Sequence, residues 1–347
     1  MRRSCFVFVT ASAFSAMLAA APAAVRSFEA TYVATVESVP AGLSRLEVWV
    51  PLPSDSADQS IRGVRVESPY EGSIRREKTN GNSYFYFSTE SPKPGPLEIR
   101  VRFEAERREA GANSATAGKT SGDELQRFLR AEKLVTLSPR IREMSRQVTL
   151  GAKTPEAKAR AIYDFIVNTM TYDKTTPGWG QGDTERACDV KKGNCTDIHS
   201  YFMSLARAQG IASRFIIGFP LKPEAEGTIP GYHCWAEFYL PDRGWVPVDA
   251  SDASKTTDAA RRDYLFGHLD ADRIQFSIGR DLVLDPPPCV ETLNYFIYAY
   301  AEGDGRAIAP VSIKLEYRNR SLTSMTMSGA KSIDSGLNRK VRAAEHF

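Results

Sequence analysis

The order of hydrophobic periods along the chain restricts its fold more than any other feature. Between Phe28 and Arg108 apolar residues recur at every second position, most clearly in LEIRVRFEAER, where Leu97, Ile99, Val101 and Phe103 alternate with Glu98, Arg100, Arg102 and Glu104. That alternation marks a strand with one face on a core. SRLEVWVPLP and SYFYFS add further strands, and turn residues such as TNGN at 79–82 separate them. The period then becomes helical. In TPEAKARAIYDFIVNTM, Thr154 stands as N-cap, Pro155 at the first helical position and Glu156 in the first turn, with Ile162, Phe165, Ile166 and Thr169 on one face. A second helix opens at Cys195, with Ile198, Phe202, Leu205 and Ala206 as its stripe and Gly210 as its C′ residue. Strands return in SRFIIGFP, YHCWAEFYL, GWVPVD, RIQFSIGRDLVL, LNYFIYAY and VSIKLEYRN. Strands, then helices, then strands predict an α+β protein with helices packed on an antiparallel sheet, and argue against a doubly wound parallel sheet.

The ends of the chain and one polar stretch divide it. Residues 1–24 read as a signal peptide: Met1, Arg2 and Arg3 give a basic start, Cys5 to Leu18 is mostly apolar, and AAAPAAV offers small-residue cleavage sites. The apolar stretch is too short and too rich in Ser and Thr for a spanning helix, and no later window approaches the roughly 18–20 apolar residues a bilayer needs. A periplasmic or secreted protein is expected. Loss of Arg2 and Arg3 lowers the formal charge of +3 by two, and the remaining acids and bases are interspersed, so a nucleic-acid partner is not expected. About 320 residues remain, enough for two cores of ordinary size. A β-sandwich domain is expected over 27–108, a Gly, Ala, Ser and Thr linker over 109–122, and a helix-and-strand domain over 123–285. Strands appended to that core are expected over 286–320, and a polar tail over 321–347.

Cys5 leaves with the leader, so Cys188, Cys195, Cys234 and Cys289 face an oxidising compartment. One disulfide among Cys188, Cys234 and Cys289 is expected, with the pair unassigned. Cys195 is placed differently. A thiol at a helix start feels the partial positive charge of unpaired N–H groups, which favours thiolate. Gly193 and Asn194 permit a tight turn beside it, and Lys191 and Lys192 add positive potential. The bland alternative is an inert, half-buried thiol.

A nucleophilic cysteine needs a base, and the chain has four histidines: His199, His233, His268 and His346. His346 lies in the tail. His199, four residues along the helix from Cys195, shares its face, but a helix-mate does not readily present its ring to a third, orienting residue. His233 opens the hairpin GYHCWAEFYLPDRGWVPVD, whose other end carries Asp249. Period two puts His233, Trp235, Glu237 and Tyr239 on one face and Cys234, Ala236, Phe238 and Leu240 on the other, so Cys234 is expected to point away from His233. With Leu240 opposite Trp245, simple register sets His233 against Asp252, three residues or about 10 Å past Asp249. Either a bulge brings Asp249 back, or Asp252 is the orienter.

The stretches GNCTDIHSYFMSLARAQGIASRFIIGF and HCWAEFYLPDRGWVPVDAS, with Cys, His and Asp in that order, resemble the transglutaminase-like cysteine enzymes, whose core is shared with papain-type proteases. The resemblance covers roughly 123–285. It implies a papain/transglutaminase-like core preceded by the small β-sandwich, with Cys195 as nucleophile, His233 as base and Asp249, over Asp252, as the orienting acid. It implies a thioester acyl-enzyme formed on protein or peptide amides. Hydrolysis is preferred slightly over amine transfer, because water is always present and nothing in the chain reads as an amine site or a calcium loop. The Cys195 backbone N–H is the first candidate oxyanion donor, and the Tyr172 hydroxyl or the Trp179 indole the second.

Blander readings stand beside these. Trp235 and Trp245 read as packing rather than a substrate groove. Cys188, Cys195, His233 and Cys234 make a poor zinc site, because adjacent strand residues face opposite ways and no CxxC pair exists; neither metal nor cofactor is expected. Arg186, Lys191 and Lys192 read as a solvated face. The sandwich is expected to orient the catalytic domain or recruit substrate. The rival function is a non-catalytic module binding protein or glycan, which would have no need of the Cys, His, Asp set; an envelope assembly factor would instead need a broad exposed apolar surface. Oligomeric state is unassigned.

Overall fold

The computed structural model describes residues 23–111 and 120–320. Nearly all of the leader, the middle of the linker and the polar tail lie outside the described residues.

Strands β1 (Val25–Val39), β2 (Arg45–Pro51), β3 (Gln59–Glu67), β4 (Ser73–Arg76), β5 (Ser83–Glu90) and β6 (Gly95–Arg108) occupy the first part of the chain. In β6 the alternation read from sequence holds: Leu97, Ile99, Val101 and Phe103 are buried, while Glu98, Arg102 and Glu104 are exposed. The middle holds α1 (Gly122–Arg127), α2 (Pro139–Val148), α3 (Pro155–Thr169), β7 (Thr171–Tyr172), α4 (Thr184–Val190), β8 (Lys192–Gly193) and α5 (Cys195–Ala208). Thr154 caps α3 as its sequence predicts, accepting from the Ala157 N–H at 3.1 Å. Its buried stripe is Ala159, Ile162, Tyr163, Ile166 and Val167, with Thr169 exposed.

Next come β9 (Ser213–Pro220), β10 (Glu226–Ile229), β11 (His233–Leu240), β12 (Gly244–Val248), α6 (Ala250–Ser254), α7 (Ala259–Tyr264) and β13 (Arg273–Ile278). The last strands are β14 (Tyr300–Gly303), β15 (Arg306–Ala307) and β16 (Val311–Asn319). An antiparallel sheet in the order β12-β11-β9-β13 forms the floor on which α5 packs, with Phe202 of the helix against Phe238 of β11. The protein is therefore α+β with helices on an antiparallel sheet, next to a strand-rich N-terminal region.

The strands beyond residue 286 do not extend that floor as the sequence suggests. β16 pairs with β1 and β14 with β2, so the sheets run β10-β16-β1-β6-β3 and β15-β14-β2-β5-β4. Pairing supplies the reason: β1 is long and apolar on one face, and without β16 one whole edge of its N–H and C=O groups would lack partners. LNYFIYAY is irregular up to Tyr300, where β14 begins. Phe296 and Ile297 are buried without being in a strand, an ambiguity inherent in short apolar runs.

Two amide side chains join the layers. β13 is the edge strand of the floor. The Gln59 side chain donates to the Gln275 carbonyl at 2.9 Å and accepts from its N–H at 2.8 Å, and Asn82 makes the same pair of bonds with Ile278, both at 2.8 Å. Each amide thus stands in for a strand residue and closes part of an open edge.

Candidate active site

Cys195 is the first residue of α5, and the turn before it is built for that role. Asn194 caps the helix, accepting from the Thr196 and Asp197 N–H groups, while Asp197 returns a bond to the Asn194 N–H at 2.9 Å. Asp197 also accepts from Gly180 at 2.7 Å and Gly182 at 2.9 Å, which fastens the preceding loop to the helix start. A side chain at position 193 would meet the Asp197 carboxylate at 2.3 Å, so Gly193 makes room for this capping acid. Arg186 is not part of a solvated face: its guanidinium donates to the carbonyls of Thr176 and Pro177 in that loop and of Lys192 in β8. Every α5 residue from Cys195 to Arg207 is buried, and Cys195 is 2% exposed.

The structure brings His233 and Asp249 together and explains how. β11 and β12 pair with Leu240 opposite Gly244 and Tyr239 opposite Trp245, one residue off the simple register, because Gly244 (φ 77°) joins the strand and leaves a three-residue turn. The ladder ends at Ala236 and Val248. Asp249 then leaves the strand as N-cap of α6, accepting from Asp252 N–H at 2.9 Å through Oδ1 and from His233 Nε2 at 2.7 Å through Oδ2. A helix start, not a bulge, closes the gap. Asp252 Oδ2 lies 3.7 Å from the same nitrogen, so it adds field from a second position.

With Nε2 committed to Asp249, Nδ1 is the His233 nitrogen left for the thiol. Both His233 and Cys234 act on the Cys195 thiol. Burial alone would push its thiol up, but the Cys234 and His233 hydrogen bonds and the imidazole charge bring it well below the ordinary cysteine value. Burial likewise works against a charged His233, yet the Asp249 and Asp252 carboxylates raise it to about 10. Asp249, fully buried, would rise through burial; His233, His199 and Arg273 hold it well below the usual carboxylate range.

Two members of the site escape sequence reasoning. Arg273, at the start of β13, donates to Asp249 Oδ2 at 3.0 Å, pairs with Asp270 and lies with its guanidinium carbon 5.3 Å from the Trp235 ring centre. No local spacing signals it, because 24 residues separate it from Asp249. Tyr232 bridges Asn194 Nδ2 at 3.1 Å and Thr196 Oγ1 at 3.0 Å, tying the entry of β11 to the cap of α5. Its place directly before His233 was the only available signal.

His199 differs from expectation. Its Nδ1 donates to the Cys195 carbonyl at 2.8 Å, and its Nε2 lies 3.5 Å from Asp249 Oδ1 without a well-formed hydrogen bond. A helix-mate of Cys195 does reach Asp249, because α5 packs beside α6. Of the two further oxyanion candidates, Tyr172 pairs with Gly193 across β7 and β8, and burial together with the charge of Cys195 pushes its phenol up. Trp179 stands 38% exposed on the preceding loop.

The sequence profile of the transglutaminase-like superfamily matches residues 142–250, a span that includes Cys195, His233 and Asp249. An uncharacterised protein of Haemophilus influenzae is 30% identical over 338 residues, covering 85% of this chain and 91% of its own. The chain belongs to the transglutaminase-like superfamily. A protein-glutamine gamma-glutamyltransferase of Pseudomonas aeruginosa shares 25% identity over 120 residues, 32% of this chain and 18% of that one. A solved structure from Cytophaga hutchinsonii, provisionally assigned as a cysteine protease, superposes with a TM-score of 0.57 at 14% identity, covering 86% of this chain and 98% of that one. The last likeness is one of fold.

Among the described residues all four cysteines carry free thiols, so the expected disulfide is not formed. Cys188 is buried in α4, Cys289 is exposed near Tyr300, and Cys234 lies against α5. Cys234 does point to the other face of β11 from Trp235, but that face is the one α5 covers, which brings it to Cys195. His233, Asp249 and Asp252 offer donor atoms within 4.8 Å of one another. Both Asp249 oxygens already accept hydrogen bonds, Oδ1 from the Asp252 N–H and Oδ2 from His233 and Arg273.

Proposed function

We propose that this protein is an exported cysteine enzyme in which Cys195, His233 and Asp249 form a thioester acyl-enzyme on protein or peptide amides, with hydrolysis ahead of amine transfer. The observation that carries this is the His233–Asp249 pair beside the thiol at the start of α5: Nε2 of the ring is held by Asp249 at 2.7 Å, and His233 lowers the Cys195 thiol.

The Cys195 thiolate attacks the amide carbonyl carbon, and charge collects on the carbonyl oxygen. As the first helical residue, Cys195 presents a backbone N–H outside the intrahelical ladder, and that N–H is the first donor for the developing oxyanion. Tyr172 is the better second donor, since its phenol lies within the field of Cys195. The C–N bond then breaks as His233 gives its Nδ1 proton to the departing nitrogen. Neutral His233 next takes a proton from water, or from an amine, as that nucleophile attacks the thioester and Cys195 leaves as thiolate. Asp249 keeps the ring oriented and stabilises its charge throughout.

The test is iodoacetamide labelling of Cys195 against pH, mapped by mass spectrometry in the native protein and in His233→Ala. Fast labelling below neutral pH that vanishes in the variant supports the enzyme. An ordinary thiol profile, the same in both, supports the binding module instead. Incubating a glutamine-containing protein with a fluorescent primary amine then separates ammonia release with free acid from amine incorporation.

A further inference from the structure

The residue after His233 gives the nucleophile a second thiol. Cys234 is fully buried, with Sγ 3.7 Å from His199 Nδ1 and 3.9 Å from Thr196 Oγ1. His199 Nδ1 in turn bonds the Cys195 carbonyl at 2.8 Å, so the Cys234 sulfur rests on the first turn of α5. Each thiol acts on the other: Cys234 lowers Cys195, and Cys195 raises Cys234. The acyl-transfer chemistry gives Cys234 no task. Packing alone does not call for sulfur, since Ala236 fills the next position on the same face and is equally buried.

We propose that Cys195 and Cys234 form a reversible intramolecular disulfide when the protein meets a hydroperoxide, a modification that silences the nucleophile and protects it from irreversible oxidation. The inference rests on Cys195 being the thiolate of the proposed function. In the first step the Cys195 thiolate attacks one oxygen of hydrogen peroxide, the O–O bond breaks, and the departing hydroxide takes the proton of the His233 imidazolium and leaves as water. The product is a Cys195 sulfenic acid. The Cys234 sulfur then attacks the Cys195 sulfur, the S–O bond breaks, and the departing hydroxide takes the Cys234 proton as a second water. Two thiols lose two electrons in total and one peroxide gains them.

The local architecture permits the approach. A disulfide needs its sulfurs about 2 Å apart, which side-chain rotation must supply. Cys234 is one residue from the end of the β11–β9 ladder, which starts at His233 and Gly218, and its pairing with β12 begins only at Ala236. Burial and the adjacent Cys195 keep the Cys234 thiol well above its ordinary value, so it waits protonated and reacts only once Cys195 has become an electrophile.

The experiment uses the purified protein with Cys289→Ser, which removes the exposed thiol. It is reduced, treated with hydrogen peroxide, alkylated and digested without reductant for mass spectrometry. A Cys195–Cys234 linked peptide that disappears with dithiothreitol is expected. Dimedone, which traps sulfenic acid, should mark Cys195 briefly here and at least about tenfold more in Cys234→Ala, where sulfinic acid follows. Cys195 sulfinic acid with Cys234 still alkylated, in the protein that keeps both cysteines, overturns the proposal without reference to how the variant folds. Iodoacetamide labelling of the reduced protein separates the two ideas: fast labelling with no linked peptide defeats the disulfide alone, and slow labelling with none defeats both.

Discussion

His233 Nε2 bonds Asp249 Oδ2 at 2.7 Å, although the register of β11 and β12, extended past its last pair, would set His233 opposite Ser251. The contact exists because the chain stops being a strand at Val248 and Asp249 caps a short helix. One carboxylate therefore does two jobs: Oδ1 holds the helix start and Oδ2 holds the imidazole.

The pH profile follows from the two opposed shifts. Thiolate exists above the depressed value of Cys195, and the imidazolium proton is held below about 10. Iodoacetamide labelling of Cys195 should already be near its plateau at neutral pH. Turnover of an amide substrate should fall again as pH rises through about 10, because His233 then lacks the proton the leaving nitrogen needs. In His233→Ala two of the influences that lower the thiol are lost while burial remains, and the labelling midpoint should rise.

Asp249 and Asp252 separate cleanly by substitution. Asp249→Asn should reduce turnover by on the order of 10²- to 10⁴-fold, as loss of the orienting acid lets the imidazole take the wrong tautomer. Asp252→Asn removes a half-exposed charge 3.7 Å away and should cost no more than about threefold. Equal losses in steady-state assays of the two variants would contradict the assignment of Asp249 as orienter.

Arg273→Met keeps side-chain length beside Trp235 but leaves Asp249 buried with less countercharge. Breaking a buried pair in this way should lower stability by about 3–5 kcal/mol in urea melts near neutral pH. Asp249 has a depressed value, so its stabilising contribution is present above the ordinary carboxylate range and lost as pH falls through the depressed one. With Arg273 gone that value rises, and acid unfolding should begin at higher pH.

Gln59→Ala strips the partners from the Gln275 N–H and C=O on the edge of β13. A stability loss of about 1–3 kcal/mol is expected, with faster hydrogen exchange at the Gln275 amide. Asn82→Ala should do the same at Ile278. No change in exchange at either amide would mean that the sandwich does not hold this edge.

Gly218→Ala tests the close approach beside His233. A Cβ there would stand 1.8 Å from the Ile274 carbonyl, which is backbone and cannot rotate away. Overpacking of about 1–3 kcal/mol is expected, and a thermal melt reads it directly.

Local chemistry determines much of this protein. The alternation in β6, the Thr154 cap of α3, the helix opening at Cys195 and the hairpin from His233 are each written within a dozen or so residues, because period and capping are local properties. The family was legible from the motifs around Cys195 and His233, whereas the choice of Asp249 over Asp252 came from the resemblance and not from local pattern. Tertiary structure decided the rest. Which edge β14 and β16 complete depends on unpaired groups more than two hundred residues away in sequence. Whether Asp249 or Asp252 meets His233 depends on where a strand gives way to a helix. Arg273 reaches Asp249 only because β13 lies beside β9. Cys234, placed by strand period on the face opposite Trp235, meets Cys195 only because α5 covers that face. Period fixes the side of a strand a residue occupies, but packing chooses what lies across from it.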